Sequence, residues 1–246
     1  MKKIETYVFF DLETTGLIEG KDVPSITELG MLAVKRKHFL ETRPDQELRV
    51  QHKFRMCFNP HRPLSDKSVE LSGLTNELLE QEPELNAEAV DAISSFINCL
   101  QKPLCLIAHK GLKYHFPVLK YHLRRIEKQL NISKEVICTD SLYAFCDLLE
   151  QEKRGVGENL NEFMRENVTT YEELDRGKYF WTECKPDDSY QLKDIYAREC
   201  PEAGLEGNRA ENHCTMMLKV AHRRAGRFSE WVARNHCFFY QVPDFN

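Results

Sequence analysis

A mixed α/β sheet of five strands, flanked by helices, is the fold class that this 246-residue sequence predicts. Two observations predict it. Three strand-like stretches come first in the chain, and only after them do helices and strands alternate. Apolar runs of strand length also break into charged turns, most sharply in "YVFFDLETTGL", residues 7–17. The first strand is expected over 6–11. Alternate side chains of a strand share a face, so Asp11 and Glu13 point the same way just where the apolar run ends. Two like charges held together repel unless a cation or hydrogen-bond donors lie between them. Two readings follow: a strand that stops at a polar turn around Gly16, or half of a metal site.

The second strand is read at 26–36 ("ITELGMLAVKR") and the third at 53–58 ("KFRMCF"), where Phe54, Met56 and Phe58 alternate with polar residues. An amphipathic helix at 86–100 leads to a buried strand at 103–109 ("PLCLIAH"), and a helix rich in Lys and Arg at 114–130 leads to a fifth strand at 136–140 ("VICTD"). Further helical segments are expected at 141–152, 190–199 and 209–225. Strands in series make an antiparallel meander and the crossovers extend it in parallel, which is the order of a ribonuclease H-like architecture. No repeat and no Gly-, Ser- or Pro-rich linker divides the chain, so one domain is expected over 1–246. The one compositional shift, at about 150–189, is polar yet carries Phe163, Tyr171, Tyr179, Phe180 and Trp181. It reads as a solvated insertion, or as a lid or partner-docking element.

A hydrophobic content of 41% supports a sizeable core, and a net charge of −5 argues against a protein that coats nucleic acid over its whole surface. Local basic sites remain open. Lys120, His122, Arg124, Arg125 and Lys128 lie along 114–130, and Lys219, Arg223, Arg224 and Arg227 cluster nearer the C-terminus; each group could track phosphates or form an ordinary solvated helix face. Nine cysteines, odd in number and without a CxxC pair, read as reduced structural thiols. With no signal-peptide-like start and no apolar run of membrane-spanning length, a soluble protein of cytoplasm or nucleus is expected.

Seven motifs in order, "FFDLETTGL", "ITELGMLAV", "LSGLTNELL", "CLIAHKGLKYHFPVL", "CTDSL", "SYQLKDIY" and "WVARN", resemble those of the DEDDh 3′–5′ exonucleases, in particular the three-prime repair (TREX) type. The resemblance implies four carboxylates holding two divalent metals, a histidine general base and a homodimer. Asp11 and Glu13 match its first motif. At the second, the ligand Asp is replaced by His115 and the usual Asn by Lys110; at the third, the general-base position holds Asn208 and the last Asp position His213. Two imidazoles for two carboxylates lower the negative charge of the site from about four to about two and favour zinc or manganese over magnesium. Asn208 cannot take a proton, which removes a factor of roughly 10²–10⁴ in rate.

The resulting expectation is a catalytically inactive pseudonuclease that binds single-stranded 3′ ends, through Lys110, Lys113, Tyr114, Arg124 and Arg125, or a protein partner through 150–189. One alternative is an active metal-dependent exonuclease in which Asp11, Glu13, His115 and His213 bind one softer metal. A second is a protein-interaction module. Asp11 and Glu13 could also be relics neutralised by Lys110 or a protonated histidine. His109, at a strand end before a turn, is read as structural, and Glu211, two residues from His213 on a helix, should point elsewhere.

Overall fold

The strand that carries Asp11 and Glu13 runs through the middle of the sheet, and its sequence explains its place. In the computed structural model, which describes residues 3–155, 168, 170–175, 186–202, 204 and 209–245, β1 spans Thr6–Thr14 and is buried over its first seven residues. Both faces are covered, so its apolar residues run continuously rather than alternating. Tyr7 and Phe9 meet Phe228 on one face, with Phe39 at 5.3 Å from Tyr7; Phe10 meets Phe116 at 5.7 Å on the other. Asp11 and Glu13 continue the face of Tyr7 and Phe9, beneath the helices Ala210–His222 and Ala225–Arg234.

The remaining strands are β2 (Ile26–Lys35), β3 (His52–Cys57), β4 (Leu104–Ala108), β5 (Ile137–Asp140) and β6 (Cys237–Phe238), ordered β3-β2-β1-β4-β5-β6. The first three form the expected antiparallel meander, and β4 and β5 extend it in parallel. The sheet thus has six strands rather than five. The sixth is two residues long, too short to show a period, and pairs antiparallel with β5 with Cys237 opposite Cys138.

Two expected helices are reshaped. The segment read as one helix over 114–130 is a π-helical turn, Gly111–His115, followed by an α-helix, Phe116–Arg125. Pro117 brings no amide hydrogen to this junction, and Lys110 enters it at φ +61°. Gly111 fits because a Cβ there would lie 2.8 Å from Ala108 and from the Phe116 ring. The segment read as 209–225 is two helices that break at Arg223 and Arg224, where Arg224 pairs with Glu152 and Glu199. Of the insertion, the short helix Tyr171–Asp175 packs Tyr171 against the core; Phe163, Tyr179, Phe180 and Trp181 lie outside the described residues. The eight described cysteines are free thiols, and no described helix is long and apolar enough to cross a membrane.

Gly30 decides how closely the Ala210–His222 helix approaches the sheet. It stands opposite Asp11 in β2, and a Cβ at Gly30 would lie 2.8 Å from the backbone of Ala210. Gly30→Ala is therefore expected to lift that helix and destabilise the fold by about 1–3 kcal/mol. Thermal unfolding should register a melting temperature several degrees lower, and an unchanged value would show that the helix has slack to give.

Candidate active site

At the end of β1, four sequence-predicted residues converge. Asp11, only 3% exposed, has Oδ2 3.0 Å from His213 Nδ1 and Oδ1 3.4 Å from His115 Nε2. Glu13 Oε1 lies 3.3 Å from the same His213 nitrogen. One imidazole nitrogen therefore sits between the two carboxylates, while the second imidazole covers the other oxygen of Asp11. Asn208 lies outside the described residues.

Burial and charge set the protonation of this cluster. Desolvation pushes the Glu13 carboxyl up to about 8, and the neighbouring Asp11 charge adds to the shift. Burial disfavours the His213 imidazolium, but the charge and hydrogen bond of Asp11, joined by Glu13, outweigh it and raise the group above the usual imidazole range. His115 goes the other way, because its burial, helped by the charge of His213, overcomes the attraction of Asp11. The direction for the cluster is proton retention at Glu13 and His213, beside a neutral His115. Among the described residues, Glu13 Oε1 and His115 Nδ1 are buried without a hydrogen bond. Asp11, Glu13 and His213 offer donor atoms within 4.8 Å of one another, a set with the mixed oxygen and nitrogen chemistry of a single borderline cation.

Each side chain is held by groups that local sequence patterns do not reveal. Glu28, opposite Glu13 and fully buried, accepts hydrogen bonds from Arg209 Nε (3.0 Å), Arg209 Nη2 (2.7 Å) and the Ala210 amide (3.0 Å). This bidentate contact pins the N-terminus of the helix that carries His213, where a carboxylate is favoured by the exposed amides. Asp140 holds His115 from below: it accepts from the amides of Lys110, Leu112 and Leu142 at 2.9, 3.2 and 2.9 Å. Burial pushes Asp140 up to about 6 despite these three donors. Its sequence signal was a carboxylate at a strand end immediately before a helix, the position of an N-cap. The Tyr114 hydroxyl contacts Thr14 Oγ1 at 2.7 Å and donates to the Gly16 carbonyl at 3.0 Å, which locks the turn that follows Glu13.

Other predicted residues lie where their surroundings define them. His109 is buried between Ser141 Oγ (3.2 Å) and the Tyr190 carbonyl (2.9 Å), and burial pushes it down to about 3, so it is a neutral structural group. Glu211 pairs with Lys53 and Arg55 of β3, away from the cluster. Lys110 is exposed beside the site, and Lys113 pairs with Asp175 at 2.7 Å. Arg124 and Arg125 sit at the opposite end of the Phe116–Arg125 helix, about 15 Å along its axis. There Arg124 pairs with Asp244, and Arg125 donates to Tyr121. Arg224 and Arg227, in the second basic group, are engaged by Glu152. Arg124, Arg224 and Arg227 are thus paired with acids within the fold, while Arg125 lies exposed against the Tyr121 ring.

Residues 8–170 match the exonuclease family, and the chain belongs to that family. Three prime repair exonuclease 2 of Homo sapiens is 28% identical over 237 residues, covering 94% of this chain and 88% of the relative. Three-prime repair exonuclease 1 of Homo sapiens is 25% identical over 240 residues, covering 93% and 67%. Among solved structures, a 3′-exonuclease in specific recognition of the 3′ end of a histone mRNA stem-loop superposes with a TM-score of 0.61 at 9% identity, over 95% of this chain and 85% of that one. Escherichia coli exonuclease I in complex with a dT13 oligonucleotide gives 0.57 at 15% identity, over 91% and 41%. The structural likeness shows the ribonuclease H-like fold, and the sequence relatives make the chain TREX-like.

The raised groups fix the sign of a pH effect. Glu13 and His213, both above their ordinary values, keep protons in the folded protein that the unfolded chain releases as pH rises toward about 8, so their contribution to stability falls across that range, while the depressed His109 and His115 contribute a rise at lower pH. Denaturant unfolding should show this decline in the wild type and a flatter profile in Glu13→Gln. A wild-type profile between about pH 7 and 8 no steeper than that of Glu13→Gln would show that Glu13 retains no extra proton.

Proposed function

We propose that this protein is a TREX-like exonuclease-fold pseudonuclease, which binds single-stranded nucleic acid without magnesium-dependent hydrolysis of the 3′ end. One observation carries the reading: His213 Nδ1 lies 3.0 Å from Asp11 and 3.3 Å from Glu13. An imidazolium there supplies from within the chain the positive charge that the carboxylates need. Phosphoryl transfer by the two-metal route requires charge neutralisation on both the attacking and leaving oxygens, and magnesium seeks hard oxygen ligands in near-octahedral array. Two carboxylates and two imidazoles do not fit a pair of such ions. Asn208 also has no basic atom for a proton. The nucleic-acid half of the proposal rests on kinship with exonucleases and on Lys110, exposed beside the cluster. The structural neighbours that hold a dT13 oligonucleotide or recognise an mRNA 3′ end suggest the same class of ligand here.

Degradation of a 3′-labelled oligonucleotide in magnesium is expected to be negligible beside that of an intact TREX-type enzyme. The triple variant His115→Asp, Asn208→His, His213→Asp should regain it, exceeding the His115→Asp, His213→Asp double by roughly 10²–10⁴-fold, because only the triple restores a base. Robust wild-type trimming that disappears in Asp11→Ala would overturn the pseudonuclease reading.

A second reading is favoured by the convergence of Asp11, Glu13 and His213 donor atoms within 4.8 Å, with the buried His115 Nδ1 lacking a hydrogen bond beside them. It is a rebuilt site for one softer metal, held by Asp11, Glu13 and His213 with His115 alongside. Calorimetry is then expected to show zinc or manganese binding more tightly than magnesium, with the preference lost in His213→Ala. Tighter magnesium binding would remove this reading.

A further inference from the structure

At the end of the Phe116–Arg125 helix remote from the carboxylates, a cavity of about 600 Å³ opens between that helix, the 126–136 connection and the C-terminal segment. Its floor is apolar, with Leu130, Ile132 and Phe239 among the lining residues. Its rim is basic. Lys120 and Arg124 lie one turn apart on the helix, and Lys128 and Lys134 join them from the connection. Lys128 pairs with Asp91 at 2.9 Å, Arg124 pairs with Asp244 and Lys120 is taken up by backbone carbonyls, which leaves Lys134 as the rim cation open to a ligand among the described residues.

The site is built rather than incidental. Lys120 Nζ donates to the carbonyls of Tyr240 and Val242, and Arg124 Nε lies 3.2 Å from Asp244, so the C-terminal segment is fastened as one wall. That wall presents Tyr240, 58% exposed, with its ring stacked on Phe238 at 5.4 Å and 15° between the planes. One face of the ring is thus supported from behind, as a stacking platform requires. Lys134 is exposed and enters no ion pair among the described residues.

We propose that this cavity binds a phosphorylated nucleoside, with the base against Tyr240 and the apolar floor and the phosphate at Lys134 on the basic rim. A flat aromatic platform beside a cationic rim suits a ligand that is itself flat and apolar at one end and anionic at the other. The volume falls within the range of small-ligand pockets. The site is about 15 Å from the carboxylate cluster and stands whether or not that cluster is catalytic.

Adenosine 5′-monophosphate is the probe, titrated into the full chain and followed by amide NMR. Saturable shifts are expected in residues 126–136 and 239–244, with the amides of Asp11 and His213 unmoved. Adenosine should bind at least several-fold more weakly, as should AMP to Lys134→Glu. Tyr240→Ala should weaken binding about tenfold, and Tyr240→Phe should preserve it, in keeping with stacking worth about 1–3 kcal/mol per base. Both positions are exposed, so the variants keep the fold, and the unshifted amides report it. Competition by a 5′-phosphorylated oligonucleotide would assign the site to a strand terminus, and its failure to compete would assign it to the free nucleotide. Equal affinity for adenosine and AMP, or no shifts in these segments at about 1 mM AMP, would overturn the proposal.

Discussion

Two carboxylates on one face of a central strand cannot both be ionised in a buried site without a cation at hand, and the end of the sheet is organised around that constraint. Asp11 and Glu13 are placed by the period of β1, which gives their side chains no choice of direction. The cation is supplied by a helix in contact across the sheet. Gly30 lets the backbone of Ala210 come down onto β2, and the bidentate Glu28–Arg209 contact holds the helix start there. His213, in the first turn of that helix, then reaches both carboxylates. Without the glycine or the buried Glu28, the imidazole would have no reason to stop at 3.0 Å from Asp11.

His115 reaches the cluster by a different route. The π-helical turn that delivers it is suspended from Asp140, a carboxyl that accepts three amide hydrogen bonds and enters no ion pair among the described residues. Two helices and two strands thus meet at Asp11 through polar contacts, while Phe9, Phe10, Phe116 and Phe228 pack the layers behind it. The division of labour is physical. Apolar contacts fix the distance between layers, and directional hydrogen bonds fix where each titratable group points.

Much of this was legible in the sequence. The period of β1 placed Asp11 and Glu13 together, and motif order brought His115 and His213 to them. What escaped was either too short or too distant in the chain. The two residues of β6 carry no period, and a π-helical turn shares its apolar spacing with an α-helix closely enough to hide inside one. Arg209 and Glu28 are 181 residues apart, and nothing local to either announces the other. The basic residues illustrate the same limit. A list of Arg and Lys cannot separate Arg224, engaged by Glu152 and Glu199, from Lys134, which projects from the surface.

On the proposed reading, His213 in place of an acid changes the energetics of this cluster as well as its ligand chemistry. A third carboxylate beside Asp11 and Glu13 would add repulsion in a poorly solvated space, stabilised only when a divalent ion binds. An imidazolium in the same place turns that repulsion into attraction. Any cation entering between Asp11 and Glu13 must first displace the His213 proton, and its apparent affinity falls accordingly as pH is lowered. A site of this kind has transferred to a side chain the charge that an ion would otherwise bring. On that reading magnesium binding is weakened twice: an oxygen ligand is missing, and a competitor stands in its place.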